Sequence, residues 1–261
     1  MNKRFLLFLP FALCVSVFAQ SNGRALYQQA MNALTGSGVE RSGFNAFALM
    51  RKSAEAGYAP AQTALGFWFQ SGQYVAGSLG EAMEWYRKAA EQNDRFGQYA
   101  LGRGYALGLG LPKDTAQAET WLKKAADAGD PFAKFFLAGV VERRDPRQSV
   151  AWLQKAADDG IPQAFAKLGN ALADGRYIAR DPRAAYQWLI IAQLSGDNSV
   201  DDRLQQLETE LGNATDSLHT EARDRWQTLR TKRLASGCTG WDGENDDVPK
   251  LPPPEIQPRC R

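Results

Sequence analysis

Ala82-Met83-Glu84-Trp85-Tyr86-Arg87-Lys88-Ala89-Ala90 decides the fold, because the chain restates it: Trp85 returns as Trp121, Trp152 and Trp188, and Ala89 as Ala125, Ala156 and Ala192. The intervals are 36, 31 and 36 residues. A fixed period in that range marks a stack of helical repeats. Around each tryptophan, small and aromatic residues fall at i, i+3 and i+7 (Ala82, Trp85, Ala89; Ala118, Trp121, Ala125; Ser149, Trp152, Ala156; Ala185, Trp188, Ala192), which is one face of an α-helix. A second mark, Leu65-Gly66, Leu101-Gly102, Leu137-Ala138 and Leu168-Gly169, keeps the same register. Two marks per period imply two helices per unit.

The helix ends are written locally. Ser78, Asp114, Asp145 and Asp181 precede the tryptophan helices, where a side-chain oxygen can accept from an unpaired backbone N–H. Pro146 and Pro182 follow two of them, at the first helical position, where a missing donor costs nothing. The second helices stop at Gly57, Asn93, Gly129, Gly160 and Gly196, and the first helices at Gly36, Gly72, Gly108, Arg144 and Gly175. Apart from Arg144, these residues tolerate the left-handed conformation of a helix C-terminus.

The best copies, Ala61-Gln62-Thr63-Ala64-Leu65-Gly66 followed by Ala82 to Ala90, resemble the Sel-1-like repeat, a relative of the tetratricopeptide repeat. From Arg24 to Gly196 the resemblance covers about two thirds of the chain and recurs in register. It implies an all-α fold: an α/α superhelical solenoid of about five antiparallel helix hairpins. Ala138 and Arg144 depart from the pattern in the third full unit, which is also five residues short between its helices and should turn more tightly. The first unit lacks the tryptophan and the Leu-Gly pair, as a capping repeat does. Small residues let helices approach, while tryptophan and leucine fill the gap to the next hairpin, so all four tryptophans read as core packing.

Four segments follow: a signal peptide over 1–19, the repeats over 20–198, capping helices over 199–235 and a proline-rich tail over 236–261. Lys3 and Arg4 precede an apolar run from Phe5 to Phe18, and Val17 and Ala19 suit a signal peptidase, which predicts an exported, periplasmic chain with no membrane insertion after cleavage. Leu13 before Cys14 argues against a lipid anchor. Removing the segment leaves 29 basic against 29 acidic residues, which excludes the strong basic field that nucleic acid requires. The stretches Val200 to Leu211 and Asp216 to Leu234 carry leucines and Trp226 at helical spacing, as terminal caps would. Cys238 and Cys260 remain in the mature chain, and an even pair in an exported protein predicts a disulfide over two free thiols or a metal site. Asp242, Glu244, Asp246 and Asp247 lack the spacing of a calcium loop, and the Asn213-Ala214-Thr215 sequon is short enough to arise by chance.

No catalytic constellation emerges. The single histidine, His219, sits in a charged helix without a paired cysteine or nucleophile motif. Cysteine-rich relatives have been described as β-lactamases, but no repeat here contains a cysteine and no Ser-x-x-Lys motif is evident. Neither cofactor nor metal is implied. The resemblance implies protein binding: occlusion of antibacterial toxins by immunity proteins, or an adaptor role in envelope assembly and signalling. In tetratricopeptide-like stacks the first helices line the concave side. Positions two before and two after the Leu of each Leu-Gly mark, Thr63, Phe67, Tyr99, Arg103, Phe135 and Asn170, should therefore meet a partner. The alternative is that Phe67, Tyr99 and Phe135 pack between repeats.

Overall fold

The computed structural model describes the backbone of residues 10–235 and the side chains of residues 21–231. Every regular element among them is helical: α1 (Pro10–Thr35), α2 (Gly43–Glu55), α3 (Ala59–Ser71), α4 (Leu79–Glu91), α5 (Arg95–Leu107), α6 (Thr115–Asp127), α7 (Pro131–Val141), α8 (Pro146–Asp158), α9 (Pro162–Asp174), α10 (Pro182–Leu194), α11 (Asp201–Leu211) and α12 (Thr215–Ala235). The all-α repeat solenoid expected from the sequence is what these residues form. They fall into two compact units, Met1–Lys113 and Asp114–Arg261. In each, a helix packs on the one before and the one after it, as a hairpin with a single apolar stripe must.

The ends form where local chemistry demands. Ser78 Oγ accepts from the Glu81 N–H, and Asp114, Asp145 and Asp181 accept likewise from Gln117, Gln148 and Ala184 at 2.9–3.0 Å. Asp94 and Asp130 cap α5 and α7 in the same way, at 2.7 and 2.8 Å. Gly57, Asn93, Gly129, Gly160 and Gly196 all have positive φ, as do Gly36, Gly72, Gly108 and Gly175.

In the first unit, α1 and α2 make the degenerate hairpin. Ser53 Oγ donates to the Gly23 carbonyl at 2.6 Å, and Gly23 has no room for a side chain, because a Cβ there would stand 2.8 Å from that of Tyr58. The backbone of α1 runs unbroken through the expected cleavage point at Ala19. In the second unit, α11 and α12 bury Leu204, Leu207, Leu218, Ala222 and Leu229 against the last hairpin, and Arg225 reaches Asp158 at 2.9 Å. These are the expected capping helices. Cys238, Cys260 and the rest of the tail lie outside the described residues.

The four tryptophans are not equivalent, which corrects the core reading of the sequence. Only Trp188 is buried, stacked on Phe165 at 5.7 Å with the Arg225 guanidinium 3.9 Å from its ring. Trp85, Trp121 and Trp152 are half-buried, and the ammonium of Lys88, Lys124 or Lys155 lies 4.0–4.2 Å from the ring centre. The next residue on each helix, Tyr86, Leu122, Leu153 or Leu189, is the buried one. One position further round the helix, the indole sits at the margin of the apolar stripe, where the lysine three residues on can cover it.

Candidate protein-binding groove

Four of the six residues expected to meet a partner are buried. Thr63 is 2% exposed and donates to Asp94 Oδ1 at 2.8 Å, while Phe67, Tyr99 and Arg103 are no more than 8% exposed. The cause is that a helix between two neighbours is covered on opposite sides: α3 buries nine consecutive residues, Ala61 to Phe69. These four side chains hold the first unit together and offer no free surface. Burial also governs the polar groups around them. It pushes the Tyr86 hydroxyl above its ordinary pKa, and that hydroxyl donates to Gln70 Oε1 at 3.0 Å. It raises the Asp94 carboxyl too, a rise opposed by the Gly97 N–H and the Thr63 hydroxyl.

Phe135 and Asn170, in the second unit, stay accessible. Phe135 is half-buried beneath the Lys167 ammonium at 5.2 Å, and Asn170 is exposed one turn along α9. Asn170 and Lys167 line a groove of about 340 Å³ between hairpin α7–α8 and hairpin α9–α10. Its floor is apolar, from Ala138, Val150, Leu153 and Ala171, and Gly139 leaves bare helix backbone at its side. Around the rim stand Glu142, Asp174, Arg176 and Tyr177. Asp174 is paired with Arg203 of α11. Lys167 and Arg176 meet no carboxylate among the described residues; each lies against an aromatic ring, Phe135 and Tyr177 respectively.

The five missing residues of the third full unit explain the opening. Helix α7 has 11 residues where α3, α5 and α9 have 13, and its link to α8 is 142–145 where the others run 72–78, 108–114 and 175–181. The turn is accordingly tight: the N–H groups of Arg144 and Asp145 both donate to the Val141 carbonyl, at 3.0 and 2.8 Å, with no left-handed residue between. Arg144 is then held by a two-pronged pair with Glu119, at 2.7 Å on each arm.

The loop that follows also fits differently. In the first unit, each loop seats on the start of the preceding second helix by matching a large residue to a small one. The Tyr74 ring fills the place where a side chain at Gly43 would be, 2.6 Å from that missing Cβ, and Gly110 lies flat on Leu79, where a Cβ would stand 2.4 Å from the carbonyl oxygen. In the same register the second unit has Tyr177 and Pro146, both of which line the groove. Tyr177 is 43% exposed, much as Tyr74 is at 42%, and it lines the groove together with Pro146 and Ile178.

Among the described residues, His219 Nε2 lies 3.4 Å from the Arg223 guanidinium, no group of three His, Cys, Asp or Glu is placed to hold a metal, and no helix is long and apolar enough to cross a membrane.

Comparison with known proteins agrees with the geometry. The Sel1 repeat model matches five segments, 23–58, 59–94, 96–130, 133–161 and 162–197, the fourth being the short one. A Sel1 repeat protein from Oxalobacter formigenes superposes with a TM-score of 0.65 at 27% identity, over 81% of this chain and 86% of that one. A protective antigen of uropathogenic Escherichia coli that displays the same repeat fold gives 0.55 at 24% identity, over 84% of this chain and 59% of that one. An immunity protein from Pseudomonas aeruginosa gives 0.40 at 18% identity, over 79% and 81%, a likeness too loose to carry a functional argument. No curated protein matches the sequence significantly.

Proposed function

This chain belongs to the Sel1 repeat family, a protein-interaction fold, and from that premise we propose that it is an exported, non-enzymatic binding protein that captures a protein partner stoichiometrically. The form we propose is an immunity protein that occludes an antibacterial toxin in the periplasm. The observation that carries the binding reading is the groove of the second unit, with an apolar floor beside an exposed tyrosine and arginine. Tyr and Arg beside an apolar floor are the residue types enriched at interface hot spots. Export is supported by the basic and apolar residues of 1–19, and near-equal numbers of acids and bases in the mature chain favour a protein partner over nucleic acid. Occlusion needs only tight binding, which a repeat surface supplies without a catalytic group.

The test is crosslinking in the periplasm with a photoreactive residue at position 177, followed by titration of the captured protein. The expected result is one crosslinked partner, neutralised at about one-to-one ratio, and loss of protection when the chain is confined to the cytoplasm. A deletion strain that resists its siblings but assembles its envelope abnormally would move the role to an adaptor. Turnover of a substrate such as a β-lactam by the purified chain would overturn capture altogether.

A further inference from the structure

We infer that the groove between α7–α8 and α9–α10 takes an extended polypeptide segment in which an apolar side chain is flanked by carboxylates. This deepens the binding reading above and rests on it. Three observations carry it. The floor is apolar, and at Gly139 a Cβ would meet nothing within 4 Å, so a whole side chain can lie against the helix backbone there. Beside it, the Asn170 carboxamide is exposed and offers both a donor and an acceptor, the pair that an extended backbone presents in turn.

The third observation is charge. Of the two rim acids, Asp174 is already neutralised by Arg203, which leaves Glu142 facing Lys167 and Arg176. Neither cation has a carboxylate among the described residues, and lying over Phe135 and Tyr177, at 5.2 and 5.9 Å from the ring centres, leaves their donors unspent. A basic segment would meet two like charges; an acidic one supplies the missing partners. Tyr177 and Ile178, which line the groove with Pro146, form the wall against which the anchor side chain closes.

The experiment uses the full mature chain and a bead-displayed library of random dodecapeptides, with the enriched sequences titrated as fluorescein conjugates by anisotropy. The expected consensus is an aromatic or long aliphatic residue with Asp or Glu within three positions. Gly139→Trp should weaken the enriched peptides at least tenfold, and Lys167→Glu with Arg176→Glu should reverse the preference toward lysine-bearing sequences. Because position 139 is open and glycine is a poor helix former, Gly139→Trp should not lower the melting temperature; should it fall, the rim double variant alone decides. Enriched sequences without acidic bias, or binding indifferent to both changes, would overturn the inference. So would concentration-dependent self-association abolished by Gly139→Trp, which would assign the groove to a second copy. Partner capture that persists undiminished in these variants would sink the groove while leaving stoichiometric capture standing.

Discussion

Adding one methyl group to α9 and one to α7 should move stability in opposite directions. In α9, a Cβ at position 169 would stand 2.7 Å from both Cγ and Cδ2 of Leu189 and 3.3 Å from the Ala185 carbonyl oxygen. Carbon pairs rest at about 3.5–4.0 Å, so Gly169→Ala drives two contacts nearly an ångström inside their optimum. Leu189 is fully buried and cannot swing away without displacing α10. Overpacking of this kind costs about 1–3 kcal/mol. At Gly139 the new Cβ meets nothing within 4 Å. Both substitutions gain the same helix propensity, about 0.8–1 kcal/mol, and so it cancels in their difference.

Gly139→Ala should therefore stabilise by roughly 1 kcal/mol, and Gly169→Ala should fall below it by about 1–3 kcal/mol. For a unit of this size the gap is on the order of 2–10 °C in melting temperature. Differential scanning calorimetry of both variants measures it, and a double-mutant cycle with Leu189→Ala isolates the contact, since that change removes both clashing atoms. Equal melting temperatures, or no coupling in the cycle, would refute the idea that glycine stands in the Leu-Gly mark because of what faces it.

Three further outcomes follow from the same geometry. Asp94→Asn keeps an acceptor for the Gly97 N–H while removing a carboxyl whose pKa burial raises; a raised folded pKa gives stability below the unfolded pKa and loses it as pH climbs, so the variant should melt higher than wild type at neutral pH and lose that advantage near the ordinary carboxylate pKa. Trp226→Ala removes the edge contact to Phe165 at 6.1 Å and part of the cover over the last hairpin, and should cost about 2 kcal/mol in urea unfolding; a loss under half a kilocalorie would show that α12 is not a cap. The non-reduced mature chain should give the mass of a Cys238–Cys260 disulfide, and two alkylatable thiols would exclude it.

Helix boundaries were legible because capping is settled within a few residues: Asp145 needs only the N–H of Gln148, and Gly175 only its own φ. The period likewise gave the hairpins and the short third unit. It did not say which faces neighbours would cover. Thr63 and Tyr99 stand on sides of their helices that an isolated hairpin would expose, and they are buried because another helix packs there. The tryptophans fail in the opposite sense, since an indole at the edge of the stripe is half-buried unless something lies over it, as Arg225 and α12 do for Trp188.

The groove was harder still, because it depends on residues that match across about one repeat. A loop closes on the hairpin before it when one partner is small, as with Gly43 and Tyr74 or Leu79 and Gly110. Each of these residues, read alone, is an ordinary turn or first-turn residue. Only when Pro146 is set beside Tyr177 does the pair that lines the groove appear, and nothing in the spacing of tryptophans reports it. The signal was nonetheless in the chain: Pro146 opens α8, behind the Asp145 cap, at the register position where glycine makes room for the Tyr74 ring. The proline at the helix start is thus also a wall of the groove, which it lines together with Tyr177. A repeat five residues short leaves nothing of its own to fill the space. A helix end is settled by neighbours in sequence, whereas the groove takes its lining from α7, α8, α9 and the loop after it, which is why a reading of helix ends alone records the first and misses the second.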